Sequence, residues 1–173
     1  VILASLAIIV YIAIAFHKVP KPTSSWRFGI CAVLALIHDI LFVVGVFAIL
    51  GHFFGFEVDS LFITALLTIM GFSVHDTIVV FDRIRENLRK SPSLDFETNV
   101  NNSLLETLNR SINTTFTVLI VLLALYLLGG STLKQFMLAL LVGVSIGTYS
   151  SIFNASPLLV SWQLWSQRRL SRA

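Results

Sequence analysis

Five long apolar runs, over residues 1–16, 28–50, 61–81, 107–128 and 133–165, leave so little polar sequence between them that a lipid bilayer is the solvent this chain is built for. A spanning helix needs about 20 predominantly apolar residues to cross a hydrocarbon core of about 30 Å. In lipid, only helices and closed barrels satisfy every backbone polar group internally. Charged residues make up 12% of the chain, against about 25% in soluble domains, and the mean hydropathy is +0.88. The chain therefore reads as one all-α integral membrane domain, 1–173, a bundle of five transmembrane helices. The net charge of +3 is small, and its distribution matters more than its sum; no nucleic-acid partner is expected. The first run opens without an initiator methionine, as in a fragment of a longer protein. Cys31, the only cysteine, lies in an apolar run and offers no disulfide framework.

The connections set the topology. The linker 17–27 carries Lys18, Lys21 and Arg27 with Pro20 and Pro22, which cannot continue a helix. Span 61–81 runs into the charged cluster Asp82, Arg83, Arg85, Glu86, Arg89 and Lys90, read as a solvated helical extension that ends at Ser91, Pro92 and Ser93. Over 95–106 the apolar residues Phe96, Val100, Leu104 and Leu105 recur at helical spacing between polar ones, the pattern of an interfacial helix on the membrane surface. Gly129, Gly130 and Ser131 turn the chain between the last two spans, and Pro157 lies inside the last. Of the 12 lysines and arginines, all but Lys134 fall on one side. By the positive-inside rule the linker 17–27, the loop 82–106 and the C-terminus are cytoplasmic.

Against this apolar background a few residues stand out. Asp76 lies within the third run, where an ionisable side chain costs about 3 kcal/mol on insertion scales and more in simulations, so such acids usually face a bundle interior and carry function. Ser73 shares its helix face; Arg83 does too but sits about 10 Å along the axis, too far to pair. His75 is turned about 100° away and reads as a packing residue. Asp39 beside His38 lies about 18 Å from Arg27, near the midplane, among Ala32, Ala35, Val43 and Val46. That pair reads equally as helix glue or as proton-handling, and Asp39 is expected to matter less than Asp76. On the fourth run Arg110, Asn113, Thr114 and Thr117 form one polar stripe entering from the cytoplasmic side, although Arg110 alone also reads as an arginine snorkelling to headgroups. On the fifth, Gly143, Gly147, Ser150, Asn154, Pro157 and Ser161 form a small and polar seam suited to close packing. No metal spacing, phosphate loop or nucleophile elbow appears, and no cofactor is expected.

The run Gly71-Phe-Ser-Val-His-Asp-Thr-Ile-Val-Val-Phe-Asp-Arg-Ile-Arg-Glu-Asn87 resembles the signature of the SecF protein-export membrane family, within the resistance-nodulation-division superfamily. Ala-Leu-Ile-His-Asp-Ile-Leu at 35–41, Leu-Asn-Arg-Ser-Ile-Asn-Thr-Thr at 108–115, Leu-Leu-Gly-Gly at 127–130 and the glycine- and serine-rich run 142–152 extend the likeness to four spans. The resemblance implies the last five spans of a six-span subunit in the cell inner membrane. It also implies work with SecD beside the SecYEG translocon, using the proton gradient to assist preprotein export. Carried over to this chain, the proton pathway holds Asp76 and Arg110. His75 departs from the pattern, where an asparagine is expected.

Three classes of function compete. The first is a proton-coupled auxiliary subunit of the Sec translocon, or another proton-coupled transporter of the superfamily. A non-catalytic scaffold holding translocon partners would use the same acids as helix glue. An intramembrane hydrolase would need Asp39 and Asp76 at one depth. Counting along the helices puts them about 18 Å and about 10 Å in, which argues against an enzyme.

Overall fold

The computed structural model describes residues 7, 8, 10–12, 14 and 25–170, with side-chain surroundings to 168, and all regular structure among them is helical. Helix α1 covers Ser25–Phe54, α2 Ser60–Lys90, α3 Phe96–Leu128 and α4 Ser131–Ser150; a π-helical turn, Ser151–Ala155, joins α4 to α5, Ser156–Leu170. Because α4, the π turn and α5 form one rod, four helical rods among the described residues are long and apolar enough to cross a membrane. The expected count was five. The missing one, 1–16, falls largely outside the described residues, as do 17–24 of the linker and Arg172 of the tail. Its described residues are helical, and Ile12 is buried beside Gly29 of α1.

Local chemistry sets the helix ends. Asp59 caps α2 by accepting from the Phe62 amide at 2.8 Å, and Asp95 caps α3 through the Thr98 amide at 3.1 Å. Pro92 stands just past the end of α2. The segment 95–106, expected as an interfacial helix that feeds the next span, is from Phe96 on one continuous helix with that span, α3. The reason is the helical extension of α2. Its Ile84 and Leu88 bury against Phe96 and Val100, so the apolar face of the amphipathic segment finds protein instead of lipid. At the start of α1, Arg27 donates to Gln163 Oε1 at 2.6 Å and Ser166 Oγ at 2.8 Å, fastening α1 to α5.

The core comes in two apolar clusters with a polar belt between them. One cluster gathers Phe28, Ala32, Val80, Phe81, Ile84 and Leu159; the other gathers Val43, Phe47, Ala65, Ile69, Leu140 and Val144. Between them, buried, lie Asp39 of α1, Ser73 and Asp76 of α2, Ser111 and Thr115 of α3, and Thr148, Ser150 and Ser151. Helix α4 packs against α1, α2 and α3. Its contact with α2 depends on two glycines. A Cβ at Gly143 would fall 2.2 Å from Ile69 Cδ1, and one at Gly147 would fall 3.2 Å from the Ser73 Cβ. The expected seam through Gly143, Gly147 and Ser150 therefore packs inward, but the π turn adds a residue to one turn and shifts the facing. Beyond it, Ser156, Leu159 and Gln163 are buried while Pro157 and Ser161 are exposed.

Candidate functional site

Each buried acid is held by two serine hydroxyls from neighbouring helices. Asp76, 8% exposed, accepts from Ser111 Oγ at 2.9 Å on Oδ1 and from Ser151 Oγ at 2.8 Å on Oδ2. Asp39, with no exposed surface, accepts from Ser73 Oγ at 2.5 Å and Ser150 Oγ at 2.7 Å, both on Oδ2. Its Oδ1 faces His38 Nδ1 at 3.0 Å. A few residues along, Thr115 and Thr148 join α3 to α4 through their hydroxyls at 2.6 Å. Hydroxyls are suited to this role because they can donate to a carboxylate yet carry no charge that would itself need compensation in a low-dielectric core.

Several expected partners are placed elsewhere. Ser73, on the Asp76 face of α2 by spacing, reaches across to Asp39 instead. Asp39 is consequently not in a purely apolar contact: Ala32, Ala35 and Val43 are buried near it along α1, but two other helices supply polar partners. Arg110, Asn113, Thr114 and Thr117 are all exposed on α3, and Thr117 Oγ1 bonds back to the carbonyls of Asn113 and Thr114. Arg110 makes no ion pair with Asp76; it is Ser111, the next residue, that touches the acid. His75 is exposed.

The inward stripe of α3 is Asn99, Ser103, Thr107, Ser111 and Thr115, every fourth residue and all buried. That periodicity is visible in the sequence, but it lacks a charge to draw attention, and the parallel stripe beginning at Arg110 has one. The two acids also share a level that counting from separate references does not reveal. Consecutive serines bind one acid each, so Asp39 and Asp76 meet α4 and the π turn within one residue of each other. The counts started from Arg27 on one helix and from the charged cluster on another, and those two references mark no common plane.

A second, solvated network fixes the end of α2 to α3. Arg83 bonds Glu106 through Nε at 2.5 Å and Glu86 through Nη1 at 2.6 Å, Lys90 reaches Glu86 at 2.6 Å, and Asn87 donates to Glu106 at 2.9 Å. The hydrogen bonds from Asn87 and then Arg83 hold the Glu106 carboxyl below its usual value. Those from Lys90 and then Arg83 do the same for Glu86.

A multi-pass helical membrane protein with paired acids bound by hydroxyls inside the bundle is the class that fold and site define. The chain matches the family model described as protein export membrane protein SecD/SecF, C-terminal, over residues 1–165. It belongs to that family. It is 64% identical to the protein translocase subunit SecF of Thermobaculum terrenum over 161 residues, 93% of this chain and 50% of the relative. The SecF of Anaerolinea thermophila is 52% identical, with 93% of this chain and 52% of the relative covered. The protein translocase subunit SecDF of Thermus thermophilus is 43% identical over 90% of this chain and 20% of its own length. A crystal structure of SecDF in the super-membrane-facing form superposes with a TM-score of 0.84 at 41% identity, over 98% of this chain and 22% of that one. The chain thus spans about half the length of the SecF relatives it matches.

Proposed function

We propose that this chain is the membrane part of a SecF-type subunit of a bacterial protein translocase and that it couples the proton gradient to preprotein export beside SecYEG in the inner membrane. The observation that carries this reading is Asp76, a buried carboxyl in a spanning helix whose two partners, Ser111 and Ser151, come from two different elements and carry no charge. In general, burial favours a neutral carboxyl and a nearby guanidinium favours the anion. Arg110 follows Ser111 backwards along α3 by one residue, so a turn of α3 of about 100° would exchange a hydroxyl for a fixed positive charge. Alternation between those two settings takes up and releases one proton, and it does work because the two conformations bind the proton unequally. Since the relatives include a SecDF, the partner is a SecD-type half. The exposed polar face of α3, with Arg110, Asn113, Thr114 and Thr117, supports that assignment, because polar groups left against lipid are costly. The linker 17–27, the loop 82–106 and the C-terminus face the cytoplasm in this reading.

Asp76→Asn tests it, because the amide keeps hydrogen bonding and removes the titration. In the full-length subunit assembled with its partners in vesicles, this variant should insert normally and lose the dependence of export on an imposed proton gradient. Full gradient-dependent export at normal expression would refute the coupling role and leave a scaffold in which the acids only hold helices together.

A further inference from the structure

The Asp39 cluster is not used by the Asp76 cycle, and its geometry has a direction. Both serine hydroxyls approach Asp39 on Oδ2, which leaves Oδ1 to face His38 Nδ1 at 3.0 Å. A hydrogen bond across that gap can be made in two ways. The imidazole N–H donates to a carboxylate, or a carboxylic O–H donates to a bare ring nitrogen. The two side chains differ sharply in exposure, 44% for His38 against none for Asp39. His38 lines a groove of about 440 Å³ with Phe153, Asn154, Pro157 and Ser161, and the Asn154 amide nitrogen lies 3.3 Å from each ring nitrogen. Among apolar walls that also include Leu34, Ala35 and Leu158, the side chains of His38, Asn154 and Ser161 offer partners for water, and the volume is ample for it.

We propose that His38 is the port through which Asp39 is loaded with a proton, making Asp39 a second proton-carrying residue joined to Asp76 through Ser150 and Ser151. The step is a relay. A proton from water in the groove binds Nε2, the Nδ1 proton passes to Asp39 Oδ1, and the ring is left neutral with its hydrogen on Nε2. Reversal returns the proton to the groove, and only N–H and O–H bonds form or break. Of the ionisable groups on the elements around Asp39, His38 is in contact on α1. Helix α2 contributes Asp76 to the interior, and α4, the π turn and the start of α5 contribute none there. Consecutive serines give the link. Each hydroxyl has one hydrogen, and each has a backbone carbonyl as an alternative acceptor, Gly147 at 3.4 Å for Ser150 and Thr148 at 3.0 Å for Ser151. A change of charge on one acid therefore shifts the hydroxyl next to the one the other acid relies on. This inference rests on the reading of Asp76 as a proton carrier.

Infrared difference spectra of the full-length subunit in liposomes, titrated between roughly pH 5 and pH 9 around the usual histidine range, separate the two ideas. Asp76→Asn and Asp39→Asn each should remove one protonated-carboxyl band. Where Asp39→Asn does not insert, Asp39→Glu moves the same band and identifies it. The substitution His38→Gln, at a half-exposed position, should slow hydrogen–deuterium exchange of the Asp39 band by roughly 10²-fold, the contribution of a positioned proton-transfer group, and leave the Asp76 band unchanged. The Asp39 band should also change frequency in Asp76→Asn, and an unchanged band overturns the link through the serines. An Asp39 band absent across the range, or one that exchanges equally fast in His38→Gln, overturns the port. Absence of an Asp76 band instead overturns the reading beneath it.

Discussion

The tightest contact in the bundle gives the most quantitative prediction. Adding a methyl group at Gly143 places Cβ 2.2 Å from Ile69 Cδ1 and 2.3 Å from Cγ1. Carbon atoms normally sit about 3.5–4.0 Å apart, so the neighbour must yield by about 1.5 Å. Ile69 is 1% exposed and packed in one cluster with Val43, Ala65, Leu140 and Val144. Overpacking of this kind costs about 1–3 kcal/mol, and the better helix propensity of alanine recovers about 1 kcal/mol of it, so Gly143→Ala should lose up to about 2 kcal/mol and lie about 1–3 kcal/mol below an alanine that meets no clash. Gly45→Ala is the control, because a Cβ there meets nothing within 4 Å. The assay is reversible unfolding in mixed micelles, run as a double-mutant cycle with Ile69→Ala. The truncation alone should cost about 2–5 kcal/mol, and in the Gly143→Ala background it should cost about 1–2 kcal/mol less, because each substitution relieves the other. The displacement reaches the acids as well. Gly147, one turn further along α4, lies over Ser73, so pushing α4 outward draws Ser150 away from Asp39. A Gly143→Ala protein as stable as Gly45→Ala, or a cycle whose terms simply add, would refute this account of the α2–α4 contact.

Two further outcomes are expected. A cysteine in place of the exposed Ser93, between α2 and α3, should react with an impermeant thiol reagent only from the cytoplasmic side, and labelling of intact cells from outside would reverse the proposed topology. At the solvated end of α2, Glu86 and Glu106 both titrate below the usual value of 4.5, so their stabilisation is present above that pH and is lost as pH falls through the depressed values. Amide exchange over 83–106 should therefore accelerate below about pH 4.5 while α4 stays protected. Equal acceleration in both regions would show that the network does not hold that end.

The class of this protein was written in its sequence, because apolar runs long enough to cross a bilayer admit few other folds. Breaks at Pro92 and Gly129, the glycine seam through Gly143 and Gly147, and the two intramembrane acids were legible for similar reasons: each depends on local chemistry or on spacing along one helix. Which residues meet across helices was another matter. Ser73 lies on the Asp76 face of its own helix but bonds Asp39, and Ser111 rather than Arg110 reaches Asp76. Spacing fixes a residue's position around one axis and says nothing of the rotation of that axis toward its neighbours. On α3 two polar stripes competed, and the one of small side chains faces inward, where Ser111 meets Asp76 and Thr115 meets Thr148 of α4. The π turn made the last decision. By adding one residue to a single turn just past Ser150, it changes the phase of α5 relative to α4, with Asn154 inside it beside His38. Periodicity counted at 3.6 residues per turn cannot foresee that local change of phase, and only the folded bundle shows it.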